Sequence, residues 1–309
     1  MQPRSRWKTV NGVLLLDKPL GLSSNDALQK ARRLFQAARA GHTGTLDPLA
    51  SGLLPVCFGE ATRFAGQMLD ADKEYLARVK LGVRTSTGDA EGEVLETLPV
   101  DVDTGMLGRA LQAHTGEIDQ IPPMHSALKH QGKALYEYAR AGETIERAVR
   151  HVRIHEIELQ DVALPEFSMR VLCSKGTYIR TLAEDIGSML GCGAHLTGLR
   201  RTRTGPLHLE SAYTLEQLAS LDEDQRMALL KPADVLLQDT PALRVDEEGA
   251  RRLINGQTVP LERVSADSVP TEGQVMRAYV GPDFLGLVDV RGGQIRVKRL
   301  LPQESSQNA

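Results

Sequence analysis

Residues 41 to 55, Gly-His-Thr-Gly-Thr-Leu-Asp-Pro-Leu-Ala-Ser-Gly-Leu-Leu-Pro, present a single carboxylate, Asp47, from a heavily constrained stretch. Three glycines, two prolines and three hydroxyl residues do not suit a helix or strand interior, so a loop is expected. Gly41, Gly44 and Gly52 can each adopt left-handed backbone or admit a second chain closely, and Pro48 pushes Asp47 toward an extended conformation. A carboxylate held on a stiff loop suits work as a nucleophile or general base. An Asp-Pro turn is equally ordinary punctuation, and the loop alone does not choose between the two. Other chemical signatures fail. Gly132-Lys133 is followed by Ala134, with Ala at 127 where a phosphate-binding loop needs Gly, and Gly191-Cys192-Gly193 runs on to Leu196 where a dinucleotide fingerprint needs Gly. Cys57, Cys173 and Cys192 are widely spaced with no C-x-x-C pair, so neither a disulfide frame nor a zinc site is expected, and they read as small buried apolar residues.

The Asp47 segment resembles the catalytic motif of the bacterial tRNA pseudouridine-55 synthases of TruB type, G-H-T-G-x-L-D-P-x-A-x-G-x-L-P, with every fixed position filled. Further matches lie at Gly12 to Pro19 (GVLLLDKP), Asp72 to Tyr75 (DKEY) and Cys173 to Thr181 (CSKGTYIRT), in the family's order and spacing, and the resemblance spans about residues 10 to 305. It implies isomerisation of uridine to pseudouridine at position 55 in the T-loop of tRNA. In that reaction the N1 to C1′ bond breaks, the uracil turns in its pocket and rejoins through C5, so no cofactor and no metal are expected. By the same resemblance Asp47 is the essential carboxylate and Arg180 its partner, a cation that keeps it ionised and aimed. Tyr75 stacks on the uracil and is a candidate to take the C5 proton. The target base must be flipped out of its loop at a cost of about a few kcal/mol. His42 resembles the residue that fills the vacated space, and Tyr178 and Leu199 resemble pocket walls. Lys18, grouped with the substrate-binding residues, resembles part of a motif packing behind the catalytic loop. Whether Asp47 attacks uracil C6, attacks C1′ or removes the 2′ proton stays open. An RNA-binding or tRNA-folding protein without catalysis is the reading from another class, and a synthase for a different RNA is the third. The intact set Asp47, Tyr75 and Arg180 speaks against the first, and the bacterial-type arrangement with a small C-terminal domain against the second.

These residues need a scaffold. Apolar residues 12 to 17 read as a short buried strand, followed by a helix capped at Ser23 or Ser24 whose Ala27, Ala31, Leu34, Phe35 and Ala38 share a face and which Gly41 ends. Residues 61 to 69 show helical spacing, 75 to 81 alternate as a strand that begins at Tyr75, 85 to 92 form a polar turn, and 103 to 114 read as a helix. Pro122-Pro123 breaks the pattern before a basic stretch with a short helical piece near 134 to 139. This stretch, about 124 to 152, reads from its residues as either a plain surface excursion or an insertion over the site, and the resemblance implies an RNA-contacting insertion. Strands follow around 152 to 159 and 167 to 173, and then an amphipathic helix over 177 to 190 carries Tyr178 and Arg180 in its first turn. Beyond about 240 the texture changes to short strands at 275 to 280, 284 to 290 and 295 to 300, the last two joined through Gly292-Gly293. The expected fold class is α/β (α+β): a mixed, largely antiparallel central sheet with flanking helices, and a small β-rich C-terminal domain. The resemblance makes residues 1–245 the catalytic domain and 246–309 a PUA-like RNA-binding domain.

Composition bounds the partners. The 309 residues are 41% apolar and 25% charged, as in ordinary globular proteins, and net charge is −3, so any RNA contact must be local rather than bulk. Basic clusters are available at Arg140, Arg147, Arg150, His151 and Arg153, at Arg200, Arg201 and Arg203, and at Arg291, Arg296, Lys298 and Arg299. Each alone reads as a solvated face. Aromatics are only 4%, so base recognition rests on one or two rings rather than a paved sheet. No apolar run is long enough for a signal peptide or a membrane span. A cytoplasmic monomer acting on the tRNA T-arm stem-loop, with no membrane and no protein partner, is the expectation.

Overall fold

The computed structural model describes residues 7–126, 128–266 and 268–302. The first strand, β1 (Gly12–Lys18), is buried along nearly its whole length, as its apolar run requires. Helix α1 (Ser24–Leu34) starts where Ser23 accepts a hydrogen bond from the Asp26 amide, and it buries Ala27, Leu28 and Ala31. It stops earlier than the apolar spacing predicts. Gln36 takes φ of 51°, which turns the chain out of the helix, so Ala38 and Gly41 lie beyond it, and β2 (Ala40–His42) begins instead.

Strand β3 (Ala50–Phe58) corrects the expectation of a loop through residue 55, since Ser51, Gly52 and Pro55 all lie inside it. The tolerance has a geometric source. β1 pairs with this strand through Pro55, but on the opposite edge one neighbour pairs with residues 50–52 only and β2 with 56–58, so Pro55 faces a gap there in which its missing N–H costs no ladder bond. Residues 59–69 form two short 3₁₀ helices, Gly59–Arg63 and Ala65–Leu69, rather than one α-helix. β4 (Lys73–Leu81) then crosses the middle of the sheet, and a small ribbon, β5 (Val83–Thr85) with β6 (Val94–Thr97), carries a turn between its strands. Helix α2 (Thr104–Ala113), capped by Asp103, leads to β7 (Gly116–Gln120).

Between β7 and the next long strand the chain makes an excursion with a minimal hairpin, β8 (Lys129–His130) and β9 (Lys133–Ala134), and one short helix, α3 (Leu135–Arg140). It returns through β10 (Arg150–Ala163), β11 (Glu166–Cys173), helix α4 (Ile179–Met189), β12 (Ala194–Thr204) and β13 (Leu207–His208). The nine-stranded sheet runs β1-β3-β12-β4-β11-β10-β7, with β2 on β3 and β13 on β12. Among the described strands of this sheet only β3 and β12 pair in parallel, so the sheet is mixed and largely antiparallel, as expected. At that parallel contact Gly52 has φ of 101°, and a Cβ there would lie 2.3 Å from the Arg201 carbonyl oxygen, so this position admits only glycine.

Helix α5 (Leu215–Ser220) packs against α1 and β1, the exposed α6 (Glu223–Ala228) follows it, and the chain then enters a second, six-stranded sheet. Its members are β14 (Ala242–Val245), β15 (Val259–Pro260), β16 (Val264–Ala266), β17 (Val275–Val280), β18 (Asp283–Arg291) and β19 (Gln294–Leu300), with α7 (Glu247–Ile254) packed on them. The β18–β19 hairpin turns at Gly292-Gly293 as the glycine pair predicts. The two sheets share apolar packing: Phe64 and Met68 from the first half cluster with Val275, Phe284 and Leu287 from the second, the Phe64 and Phe284 rings 5.5 Å apart. Among the described residues no helix is long and apolar enough to cross a membrane.

Candidate active site

The loop between β2 and β3 is tied down from behind. The Ser24 hydroxyl accepts from the Leu46 amide at 2.7 Å and donates to the Leu46 carbonyl at 2.9 Å, and the Gly21 amide donates to the Pro48 carbonyl at 2.8 Å. Asp47 therefore stands between two fixed points. Lys18 is 0% exposed and spends its ammonium on the Leu22 and Pro19 carbonyls, at 2.6 and 3.0 Å, bracing the turn into α1. Its side chain lines neither of the two cavities that flank Asp47. Burial pushes its pKa down to about 8, Asp47 opposing and Arg201 adding to the shift.

Arg180 rises from the first turn of α4, whose start is set by Gln120. The Gln120 side chain accepts from the Tyr178 amide at 3.0 Å and donates to the Tyr178 carbonyl at 3.2 Å, acting as a substitute backbone. The Arg180 guanidinium lies 3.0 Å from Asp47 and 3.4 Å from Asp89, and it donates to the Thr87 and His125 carbonyls at 3.1 and 2.7 Å. The two carboxylates differ in access. Asp89 is buried and anchored by the Thr87 hydroxyl at 2.5 Å and the Glu91 amide at 3.1 Å, whereas the Asp47 side chain is 43% exposed. A cation held this firmly orients Asp47 while leaving it open to a ligand.

Asp47 and Arg180 separate two cavities. One, of about 220 Å³, is lined also by Tyr75, Tyr178, Leu199, Lys73, Ser126 and Arg201. The other, of about 450 Å³, holds His42 together with Asp89, His125, Tyr136 and Arg140. The structure thus brings Asp47, Tyr75, Arg180, Tyr178 and Leu199 together and puts His42 on the opposite side of the pair. Burial raises the Tyr75 hydroxyl pKa, with Arg201 pulling against it, and burial likewise raises that of Tyr178. Burial and Arg201 lower the His42 pKa, so its imidazole is held neutral and suited to stacking.

Sequence reading missed three contributors. Asp89 sat in what read as a polar turn. Gln120 carried no motif. Arg201 stood in a cluster read as a solvated face, yet it is 1% exposed and donates to the Leu53 and Gly44 carbonyls at 2.8 and 3.3 Å. The signal for Arg201 was present: once Leu199 is a pocket wall on a strand, the residue two positions on shares its face. Its neighbour Arg200 points elsewhere and pairs with Asp17 at 2.7 Å. The three cysteines are free and buried as expected. Burial pushes the Cys57 and Cys173 thiols up to about 12, far from reactive thiolates.

Comparison with known proteins agrees in three successive segments. Residues 32–179 match the N-terminal domain of TruB family pseudouridylate synthase, 180–238 the tRNA pseudouridylate synthase B C-terminal domain, and 241–301 the C-terminal part of pseudouridine synthase II TruB. The tRNA pseudouridine synthase B of Cupriavidus pinatubonensis is 56% identical over 304 residues, covering 97% of this chain and 96% of that protein. That of Burkholderia pseudomallei is 54% identical over 301 residues, covering 97% of each. Among solved structures, a chain of a Cbf5-Nop10-Gar1 complex superposes with TM-score 0.74 at 25% identity, covering 96% of this chain and 85% of its own. An H/ACA RNP bound to a substrate RNA containing 2′-deoxyuridine shares the fold, with TM-score 0.73 at 23% identity over 95% of this chain and 86% of its own. By sequence and by fold, the chain belongs to the TruB family of pseudouridylate synthases.

Proposed function

We propose that this protein isomerises uridine to pseudouridine in tRNA, at position 55 of the T-loop, with Asp47 as nucleophile or base. The observation that carries this reading is the Asp47–Arg180 pair at 3.0 Å on the wall of a cavity that also presents Tyr75, Tyr178 and Leu199. A flipped uracil would lie against Tyr75, with Tyr178 and Leu199 as walls, while His42 from the far side of Asp47 would enter the space left in the RNA. The excursion between β7 and β10 supplies the His125 carbonyl to Arg180 and the Tyr136 and Arg140 side chains to the outer cavity, which supports its role as an RNA-contacting insertion. We place the division between the catalytic and the RNA-binding parts near residue 240 rather than 245, because β14 is paired into the second sheet. The protein acts as a monomer in the cytoplasm, where tRNA is its partner.

The test is Asp47→Asn, which keeps the side-chain volume and removes the charge. Pseudouridine formation in a defined tRNA should fall by at least about 10²-fold, the scale of a general acid–base group, while tRNA binding persists. Turnover near the wild-type rate would remove Asp47 from the chemistry.

A further inference from the structure

Three buried cations sit around the Asp47 loop, two of them on the inner cavity, and each spends its hydrogen bonds on carbonyls rather than on a carboxylate. Arg201 donates to the Leu53 and Gly44 carbonyls, Lys73 to those of Leu69 and Ala71 at 2.8 and 2.6 Å, and Lys18 to those of Leu22 and Pro19. Among the described residues none of them makes an ion pair, and two of the acids that line the cavities, Asp47 and Asp89, both face Arg180. Carbonyl dipoles offset a buried charge only in part, and a buried cation without a counter-ion costs folding free energy. The strain is visible in Lys73, whose pKa burial, and after it Arg201, lowers to about 8. Arg201 and Lys73 line the cavity with Tyr75 and Asp47, so the excess positive charge faces the space a base would occupy.

On the reading above, one anion forms in that space. When the N1 to C1′ bond breaks, its electron pair stays on the uracil ring and spreads over N1, O2 and O4. The sugar is meanwhile captured at C1′ by an Asp47 oxygen, or loses its C2′ proton to Asp47. The turned ring then bonds C1′ through C5, which releases the Asp47 carboxylate from C1′ or returns the proton to C2′; C5 loses its proton and N1 gains one, so the net change is isomerisation. We propose that Arg201, backed by Lys73, stabilises the negative charge on the detached uracil, making Arg201 a catalytic residue of this site. A fixed cation in a water-poor cavity acts on such charge without reorganising.

The experiment compares single-turnover consumption of tRNA carrying uridine or 5-fluorouridine at the target position, with the wild-type protein, Arg201→Lys and Arg201→Met. Fluorine withdraws electrons and stabilises the uracil anion by itself, so the help from Arg201 should matter less. Arg201→Met should slow uridine roughly 100-fold, with a loss about tenfold smaller on 5-fluorouridine, since only charge developed in the transition state separates the two substrates. Arg201→Lys, which keeps the charge, should fall between, with tRNA affinity unchanged in both variants. Equal losses on the two substrates would overturn the proposal and leave Arg201 as a brace for the Asp47 loop. Weakened binding with a shallower salt dependence would also overturn it, assigning Arg201 to a backbone phosphate. Should Arg201→Met fail to fold, ¹⁹F NMR of 5-fluorouridine bound to Asp47→Asn reads the same field. The ring N3 pKa should drop below that in free tRNA, and an unshifted or raised value overturns the inference. A wild-type protein that makes no pseudouridine would overturn the parent reading as well, which separates the two failures.

Discussion

At the scale of single residues, the site is organised by one cation shared between two unequal acids. Asp89 holds Arg180 from the buried side, so Arg180 has little freedom to follow Asp47, and the loop rather than the arginine must bring the pair together. Tyr75 presents a sharper question, because burial raises its hydroxyl pKa and so keeps the phenol protonated, whereas taking the C5 proton asks for a phenolate. Arg201 opposes that shift but is the smaller influence. Two substitutions separate stacking from proton transfer. With stacking as the main role, Tyr75→Phe should keep most of the activity and Tyr75→Leu should lose about 1–3 kcal/mol of base stacking, seen as weaker binding of the T-arm. A Phe variant that binds tRNA normally yet releases no pseudouridine in single-turnover assays would return the proton to the hydroxyl.

At the scale of elements, the Asp47 loop is positioned by helix α1 as much as by its own strands. Ser24, in the first turn of α1, closes two buried hydrogen bonds with the Leu46 main chain. In Ser24→Ala the Leu46 amide and carbonyl are left unpaired, each such group costing about 1–3 kcal/mol when it stays buried. Denaturant unfolding should show a loss of that order, and the single-turnover rate should fall more than tRNA affinity, because Asp47 is displaced while the RNA-contacting surfaces are untouched. Unchanged stability together with an unchanged rate would mean that the Gly21 to Pro48 bond alone suffices to hold the loop. The parallel β3–β12 contact is the other fixed point, where Gly52 lets Arg201 lie against the loop's own strand.

At the scale of the whole molecule, the two sheets are joined by apolar packing, so the C-terminal half is not simply a detachable module. Removing it would strip Phe64 and Met68 of their cover, and binding losses would then mix with damage to the first core. Charge neutralisation is the cleaner probe. Arg291, Arg296 and Lys298 are exposed along β18 and β19, in a chain whose net charge is −3. If they meet phosphates, replacing all three by Gln should reduce the slope of log affinity against log salt by about 2 to 3, at 0.7–0.9 per contact. An unchanged slope for full-length tRNA would leave the second sheet a structural cap.

Local pattern carried the reading a long way. The glycine and proline framing of Asp47, the helix that starts beside Arg180, the alternation of β4 and β11 and the Gly292-Gly293 turn are all properties of a few consecutive residues, and all are legible in order. The resemblance then supplied roles for Asp47, Tyr75 and Arg180 that spacing alone did not. Partnership across the fold was not legible. Pro55 could enter a strand only because the two strands on its edge away from β1 leave a gap, and Arg201 could be buried only because β12 runs parallel to β3 at a glycine, with about 150 residues between them in the chain. Asp89, read as part of a polar turn, meets Arg180 for the same reason. Periodicity states which face a side chain takes, whereas what lies on that face is set by pairing between segments distant in sequence, and only the tertiary structure fixes it.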